Sequence, residues 1–263
     1  MPVVKTDFAE NRTIDLSVVV PIFNPGDSFV DHIVSLYSLT EQLSQDVEII
    51  LVNDGSNDLK TDKIPNQILD KITLLSHSKN LGKGAALRTG FKRAKGNWIG
   101  FIDADGDIPA HYLIQMANAI NFKSNEKTEV ANPDILISSK AMEGSKIHSS
   151  VLRKMSSLGF SYFIRILFDL PIKDTQTGLK IFSKNVLDKI MNSSEEDGFL
   201  IDLELLNLAK IYGFMNIKEV PVTIIKRHNS TLSAKTVTSM LIGTIKLKFK
   251  LSRMTRTRTG IEN

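Results

Sequence analysis

Short apolar runs alternate with helical patterns through the first half of this 263-residue chain, and this alternation limits the fold more than any other feature. The β-rich runs are residues 16–23, 47–52, 72–76, 98–102 and 134–138. Between them, apolar residues recur at helical spacing over residues 29–43, 64–72, 84–94 and 109–122. Strands separated by helices form right-handed βαβ units, in which helices cover both faces of a parallel sheet. The sequence therefore predicts an α/β fold, a mostly parallel sheet flanked by helices.

The composition is that of a globular protein without covalent cross-links. Hydrophobic residues make up 42% of the chain and charged residues 24%, so a chain of this length can bury a large core. Cysteine is absent, which excludes disulfides and zinc sites built from thiolates. No apolar run approaches the ~20 residues of a transmembrane helix, and residues 1–13 lack the apolar stretch of a signal peptide. We therefore expect a soluble or peripheral protein.

Polar residues follow the first strands at the points where they end. Pro21 and Asn24 lie at the end of the first run, Asp54 follows the second, and the third leads to residues 80–84. Because ligands of open α/β sheets bind at the carboxyl ends of the strands, these groups mark one candidate site. Asp54 fits two interpretations: it could accept a hydrogen bond from the ring N–H of a nucleobase, or form an Asx turn.

Three carboxylates at alternate positions, Asp103, Asp105 and Asp107, directly follow the fourth run. If the strand stays extended, they point to one side and repel one another unless a cation lies among them. Oxygen ligands on a short loop suit Mg²⁺ or Mn²⁺, which keep positions open for substrate phosphates. We therefore predict a divalent metal site here. The alternative is a polar turn in which Asp107 caps the next helix.

The segment Gly82-Lys83-Gly84 is predicted to open a helix. Free N–H groups at a helix start and the helix dipole favour anions, and Lys83 would add a positive charge beside a diphosphate. The glycine spacing matches neither a Walker A loop nor a dinucleotide-binding fingerprint. A glycine-rich helix start without a ligand is the alternative.

A loop at residues 174–180 places an acid, an amide, hydroxyls, a glycine and a lysine between two apolar segments. Asp174 and Gln176 could bind the hydroxyls of a sugar from this loop. An ordinary turn before a strand around Ile181 is the alternative.

Basic residues recur later in the chain. Arg153 and Arg165 lie in a helical pattern over residues 151–170, where two guanidinium groups could clamp a phosphate or simply extend from the edge of a packed helix. Arg227 and Ser230 belong to a basic loop that could close over a diphosphate, or be an exposed turn.

The chain ends in a basic tail, because residues 235–260 contain seven lysines and arginines and no acid. From Thr238 onward, one helical face carries Leu241, Ile245 and Phe249, and another carries Lys246, Lys250 and Arg253. Such a helix suits the surface of an anionic membrane, and docking on the protein's own sheet is the alternative. Aromatic residues that could stack on bases are missing apart from Phe249, which disfavours nucleic acid as a partner.

Taken together, these motifs resemble the family 2 glycosyltransferases of the GT-A fold, and most closely the branch that transfers hexoses to polyprenyl phosphates such as dolichyl phosphate. The resemblance is carried by residues 18–24, 52–56, 80–86, 103–105, 174–180, 199–206 and 219–222. It implies a glycosyltransferase domain over residues 1–235, with acceptor-side elements at 150–235, and a basic amphipathic helix or tail at 236–263.

The resemblance also implies roles for individual residues. The residues expected to bind the nucleotide are Pro21, Asn24, Asp54, Gly82, Lys83, Asp103, Arg227 and Ser230. Those expected to hold the metal are Asp103, Asp105 and Asp107, and those expected to face the acceptor phosphate are Arg153 and Arg165. The expected catalytic residues are Asp105, Asp174, Gln176 and Asp202.

The implied function is an inverting, metal-dependent transfer of a hexose to a polyprenyl phosphate, at the cytoplasmic face of a membrane. The donor would be UDP-glucose, with GDP-mannose as the alternative. A phosphate acceptor is largely ionised at neutral pH, because its second pKa is about 6, so it needs no strong general base. Two other functions stay open: a glycosyltransferase that acts on a sugar or polymer hydroxyl, and a phosphatase of the haloacid-dehalogenase type, which the segment Asp103-Ala-Asp105 also resembles.

Overall fold

The computed structural model of the chain describes residues 13–26, 28–57, 59–122, 132–147, 162–225 and 234–259. Within these residues, seven strands form one sheet in the order β3-β2-β1-β4-β7-β5-β8, and two short strands, β6 and β9, pair separately. The strands are β1 (Leu16–Ile22), β2 (Val47–Asn53), β3 (Thr73–Ser76), β4 (Trp98–Ile102), β5 (Ile135–Ser139), β6 (Lys146–Ile147), β7 (Leu179–Ser183), β8 (Ile217–Pro221) and β9 (Thr223–Ile224). The predicted α/β sheet is confirmed.

One strand of the large sheet runs against the others. Strands β1, β2, β3 and β4 pair in parallel, as do β5 and β8. Strand β7 lies between β4 and β5 and is antiparallel to both. Strands β2 and β3 lie on one side of β1, and β4 lies on its other side. The direction in which strands are added to the sheet therefore reverses between β1 and β4. Ligands of α/β proteins bind at such a reversal, outside the carboxyl ends of the strands.

Helices connect most of these strands. They are α1 (Phe29–Thr40), α2 (Asn66–Leu69), α3 (Lys83–Arg93), α4 (His111–Ala117), α5 (described over residues 162–168), α6 (Lys184–Ile190), α7 (Ile201–Ile211) and α8 (Ala234–Thr259). Their order along the chain agrees with the predicted alternation in the first half. None of the described helices is both long enough and apolar enough to cross a membrane.

The core lies on both faces of the sheet, because successive side chains of a strand point to opposite sides. Val18 and Val20 of β1 pack with α1 and α4 on one face. Val19 packs on the other face with α3, α6 and α7. Helix α3 lies so close to β1 that a Cβ atom on Gly90 would be 2.3 Å from Cγ1 of Val19. Because Gly90 has no side chain, α3 can pack directly on β1 at this position.

Helix α8 packs against α7 rather than against the sheet. Leu247 and Leu251 are buried in the same core cluster as α7, and a Cβ atom on Gly243 would lie 2.8 Å from Leu200 Cδ1. Ile245 and Phe249 stay exposed on the outer side of the helix. The tail thus docks on the protein through one face and keeps the predicted apolar face outside. The proposed domain boundary at residues 235–236 falls in the first turn of α8 and stays a prediction.

Several predicted elements differ in extent. The helix expected over residues 64–72 is reduced to one turn, α2, because Pro65 stands at its N-cap and the segment ends at Asp70. The helix expected over 109–122 is shorter, as α4. Of the helix expected over 151–170, residues 151–161 lie outside the described residues, and the described part ends at Phe168. Helix α6 and the direction of β7 were not predicted.

Substituting Gly90 tests the contact between α3 and β1. Gly90→Ala should lower the free energy of unfolding by about 1–2 kcal/mol, because overpacking costs about 1–3 kcal/mol and the higher helix propensity of alanine returns only part of it. Val19→Ala removes the opposing methyl groups, so the double variant should lose less stability than the two single losses added. Urea denaturation of the four proteins measures this. Strictly additive losses would contradict the contact.

Candidate functional site

The turn after β4 places its carboxylates differently from a continued strand. Strand β4 ends at Ile102, a turn follows at residues 104–105, and Gly106 has φ +69°. Asp103, Asp105 and Asp107 are nevertheless each partly exposed, and the residues between them are buried. The expectation of an extended strand through the carboxylates is wrong. The three acids nevertheless lie on the exposed side of the turn, and the residues between them lie on the buried side.

The three carboxylates are not gathered around one point. Among the described residues, no group of three histidine or acidic side chains is arranged to hold a metal ion. One carboxylate oxygen of Asp105 accepts a hydrogen bond from the N–H of Asp107 at 2.9 Å, which closes the turn. The carbonyl of Asp107 accepts the N–H of Ile225 at 2.8 Å. Asp103 instead turns towards Lys83, so the predicted three-carboxylate cluster is not formed.

A network of two lysines and two aspartates lies at the end of β4. Lys83 Nζ lies 2.8 Å from Asp103 Oδ1 and 3.0 Å from Asp202 Oδ2. Lys180 Nζ is fully buried, 2.5 Å from Asp202 Oδ1 and 2.6 Å from the carbonyl of Thr177. Both ammonium groups also lie over the ring of Phe101, at 5.1 and 5.4 Å from its centroid. Asp202 is thus held between two cations, below the surface of the site.

Burial and pairing set the charges of this network. Burial would raise the pKa of Asp202, but Lys180 and Lys83 outweigh it and hold that pKa below its ordinary value. Burial would lower the pKa of Lys83, but Asp103 and Asp202 raise it well above its usual range. Burial lowers the pKa of Lys180 in spite of Asp202. Burial also raises the pKa of Asp103, and the carboxylates of Asp202 and Asp105 add to this against the attraction of Lys83.

Strand β7 and its preceding loop support this network from the other side. The N–H of Asp103 donates to the carbonyl of Gly178 at 2.9 Å. A Cβ atom on Gly178 would lie 1.9 Å from Asp103 Oδ2, so only glycine leaves room for that carboxylate. The predicted loop at residues 174–180 therefore does reach the carboxylates that follow β4.

Asp174 acts within this loop rather than at the surface. It is buried, and its carboxylate accepts the N–H groups of Lys140 and Gln176, each at 3.1 Å. These contacts favour the turn interpretation of Asp174, and its catalytic role stays a prediction. Gln176 is half-buried beside it, and its contact with a sugar stays a prediction. Asp202 is also buried, and its catalytic role stays a prediction.

Asp54 anchors the loop before α3. Its side chain is 2% exposed and accepts hydrogen bonds from the N–H groups of Leu81 and Gly82, at 2.9 and 2.7 Å. His77 Nδ1 lies 2.7 Å from the same carboxylate, and its Nε2 lies 2.9 Å from the hydroxyl of Thr89. These contacts favour the anchoring interpretation, and contact with a nucleobase stays a prediction.

The start of α3 is not the open anion site that its glycines suggest. The N–H groups of Gly84 and Ala85 donate to the carbonyl of Asp197, at 2.7 and 3.4 Å. A Cβ atom on Gly82 or Gly84 would lie only 2.2 or 2.0 Å from carbonyl oxygens of the 196–197 segment. The expectation of free N–H groups for a diphosphate is wrong, because a neighbouring loop uses them.

The remaining predicted residues are divided between the site edge and undescribed segments. Pro21 lies in β1, paired with Val52 of β2. Asn24 is exposed, has φ +45°, and its N–H donates to the hydroxyl oxygen of Ser56 at 2.9 Å. Arg165 is exposed on α5. The residues outside the described part of the chain are Arg153, Arg227 and Ser230.

Two site residues were missed in the sequence. Lys180 interrupts the apolar run of β7, and a lysine flanked by Leu179 and Ile181 signals a buried charge that needs a carboxylate. His77 directly follows β3, at a strand end where a ligand or an anchor was expected. The pairing of each with its partner depends on tertiary contacts that sequence spacing does not show.

A family model and curated relatives match most of the chain. The model for glycosyl transferase family 2 matches residues 17–190. A dolichyl-phosphate beta-glucosyltransferase of Saccharomyces cerevisiae is 30% identical over 227 residues, which cover 81% of this chain and 68% of that protein. The Homo sapiens protein of the same name is 28% identical over 215 residues, covering 77% and 65%. The chain thus spans about two thirds of the length of these relatives.

Solved structures with the same fold include a glucosyl-3-phosphoglycerate synthase of Mycobacterium tuberculosis. In its complex with uridine diphosphate, that protein superposes with a TM-score of 0.65 at 16% identity, covering 91% of this chain and 80% of the other. Its complex with Mn²⁺, uridine diphosphate and glucosyl-3-phosphoglycerate superposes with a TM-score of 0.61, also at 16% identity, covering 95% and 81%. This likeness confirms the GT-A fold predicted from the motifs.

The raised pKa of Asp103 predicts how its charge affects stability. Ionised Asp103 costs the folded state free energy at neutral pH, so Asp103→Asn should raise the Tm of the metal-free protein at pH 7. This free-energy cost is fully present above the folded-state pKa of Asp103, and it disappears when Asp103 is protonated in both the folded and the unfolded protein. The difference in Tm should therefore shrink as the pH falls towards the ordinary value of 3.8. Thermal denaturation in EDTA at several pH values measures it, and a lower Tm at pH 7 would contradict the charge assignment.

Proposed function

Because the chain belongs to glycosyltransferase family 2, we propose that it transfers glucose from UDP-glucose to a polyprenyl phosphate with inversion at the anomeric carbon. The curated relatives named dolichyl-phosphate beta-glucosyltransferase support the acceptor, the sugar and the β configuration of the product. UDP-glucose is an α-glycoside, so a β product requires attack from the opposite face. The uridine diphosphate held by the structurally similar synthase supports the nucleotide, and GDP-mannose is the alternative donor.

The observation that carries this proposal is the position of the charged network. Asp103 and Asp105 leave the sheet next to the reversal between β1 and β4, where α/β proteins bind nucleotides. They are the half-exposed acids there, and the buried network of Lys83, Asp202 and Lys180 fixes Asp103 from below. A diphosphate leaving group needs its charge neutralised at such a place.

The carboxylates fit a divalent metal by their chemistry. The carboxylate of Asp105 helps to raise the pKa of Asp103, and a cation held by both would relieve the excess negative charge. Two carboxylates with substrate phosphates as the other ligands are a usual way to bind Mg²⁺. When bound, the metal would stabilise the negative charge that develops on the departing diphosphate. Asp107, which closes the turn, is a possible further ligand and stays a prediction.

The buried acids favour a phosphate acceptor over a hydroxyl acceptor. A sugar hydroxyl needs a base that can take its proton, whereas a phosphate monoester is largely an anion at pH 7. Asp174 and Asp202 are buried and paired, so neither is placed to take a proton from an acceptor. The phosphatase alternative would need Asp103 as a nucleophile, but its carboxylate is bound to Lys83, and family membership points elsewhere.

Contact with a membrane belongs to the same proposal, because a polyprenyl phosphate resides in one. Ile245 and Phe249 are 43% and 66% exposed on the outer face of α8, which also carries the exposed cations Lys246 and Arg253. An apolar row beside cations suits the cytoplasmic surface of an anionic membrane. The exposed Arg165 of α5 is then available for the acceptor phosphate.

The first experiment measures transfer and the need for Asp105. Purified protein with Mn²⁺ should transfer labelled glucose from UDP-glucose to a polyprenyl phosphate in detergent, and GDP-mannose should serve much less well. Asp105→Ala should abolish transfer, because it removes a carboxylate proposed to hold the metal that neutralises the departing diphosphate. Asp202→Asn should lower transfer less, because Asp202 acts through the lysines. Asp188→Asn, at an exposed acid of α6, is the matched control.

Two outcomes would contradict the proposal. Full activity of Asp105→Ala would refute the metal role, and transfer only to soluble hydroxyl acceptors would refute the phosphate acceptor.

A second experiment tests the membrane face. Phe249→Glu should weaken binding to vesicles containing anionic lipid by at least about tenfold, since burying one aromatic side chain contributes about 1.5–3 kcal/mol. Leu74→Glu is the control, because Leu74 is also an exposed apolar residue but lies on the edge strand β3. Co-sedimentation with vesicles measures both. Equal binding of Phe249→Glu and the wild type would exclude this face.

A further inference from the structure

Glu204 of α7 is a fully buried carboxylate with an unusual number of donors. Its Oε2 accepts the hydroxyl of Ser194 at 2.7 Å and the N–H groups of Glu195 and Glu196 at 3.1 and 3.0 Å. Its Oε1 accepts the ammonium group of Lys250 from α8 at 2.8 Å. Burying a charged group is costly unless it is paired and hydrogen-bonded. This carboxylate therefore strongly favours the arrangement in which its neighbours donate to it.

The loop held by Glu204 is the loop that covers the start of α3. We define it as the 194–198 loop. Its Asp197 carbonyl accepts the N–H groups of Gly84 and Ala85, and Arg88 of α3 donates to the carbonyl of Glu196 at 2.5 Å. The backbone of this loop fills the space that side chains on Gly82 and Gly84 would occupy. The position of the 194–198 loop therefore determines where α3 begins.

Lys83 is the first residue of α3, and its ammonium group holds Asp103. A displacement of the 194–198 loop would consequently move Lys83 relative to the carboxylates after β4. Glu204 itself does not reach those carboxylates, and its contacts lead to α3 through the 194–198 loop.

Lys250 brings the last helix into this arrangement. Its Nζ lies 3.1 Å from Glu195 as well as 2.8 Å from Glu204, so one cation of α8 joins the loop and its anchor. Partial burial would lower the pKa of Lys250, but the hydrogen bonds to Glu204 and Glu195 raise it above its ordinary value. Lys250 therefore stays charged over the neutral pH range.

We propose that Glu204 and Lys250 are positioning residues, which fix the 194–198 loop and through it the start of α3, so that the C-terminal helix sets the affinity for the nucleotide-sugar donor. The inference rests on the proposed function for the identity of the donor. The link from α8 to α3 rests on the contacts alone. It gives α8 a role in donor binding that is separate from contact with lipid.

Two substitutions break the link at different points. In Glu204→Gln, the amide oxygen can replace Oε2, but the amide NH₂ then faces the ammonium of Lys250, where two donors meet without an acceptor. Lys250→Met removes the cation and leaves the carboxylate buried with the loop donors alone. Lys250→Arg keeps the charge and is the conservative rescue. Lys248→Met is the control, since it removes the same charge from the same helix at a residue that faces Phe168 instead.

Hydrogen exchange in the protein without ligand tests the link directly. Amides of residues 82–90 should exchange at least about tenfold faster in Glu204→Gln and Lys250→Met than in the wild type, with α1 unchanged. Lys250→Arg and Lys248→Met should resemble the wild type. Unchanged exchange at residues 82–90 in both test variants would overturn the inference, whatever the donor is.

Donor kinetics test the consequence. The KM for UDP-glucose should rise about tenfold in Glu204→Gln, with kcat changed by no more than about twofold. A purely structural defect would lower the folded fraction and hence the apparent kcat while leaving KM unchanged, and that result would overturn the positioning role. If wild-type protein neither binds UDP nor uses UDP-glucose, the proposed function fails, and the exchange measurement still decides the link between the helices.

Discussion

A charged lysine is costly to bury in a strand unless a carboxylate pairs with it, and the pairing of Lys180 with Asp202 is the constraint on which the rest of the site depends. The pair joins β7 to the start of α7 beneath the ends of the strands. Because Asp202 also contacts Lys83, the same pair fixes the first residue of α3 and, beyond it, Asp103. Three elements that are distant in sequence are thereby held at one point. The network shows why the acids at the surface can be half-exposed and still fixed in position.

Much of the fold was predictable because the periodicity of apolar residues is a local signal. The run Trp98–Ile102 coincides with β4, and the segments around α1 and α3 differ from the structure by only a few residues at their ends. The direction of β7 was not predictable, since a five-residue apolar run looks the same whichever way it pairs. Helix α2 was overestimated, because Ile64, Ile68 and Ile72 fit a helical face although only Ile68 of the three lies in α2.

The sequence predicts the candidate site at the strand ends, and in the structure several of these side chains hold neighbouring segments in place. For Asp54, Asp174 and the start of α3, the sequence leaves both a ligand contact and a structural role open, and in the structure each of them holds a neighbouring segment. Residue types alone do not separate these roles, since an aspartate that accepts backbone N–H groups and an aspartate that binds a ligand look alike in the sequence. Burial separates them, and burial is a property of the tertiary structure. Lys180 and Glu204 were missed for the same reason.

The insertion of β7 between β4 and β5 has a consequence for how this chain folds during synthesis. Strand β4 pairs with a segment far downstream, as the pairing of Trp98 with Ser183 shows. Contacts so distant in sequence form slowly, because a long loop must close before they contribute. The amino-terminal half leaves the ribosome first, and until β7 arrives, β4 has an unpaired apolar edge that another chain could occupy. The nascent protein therefore needs this edge of β4 to be protected until β7 has been synthesised.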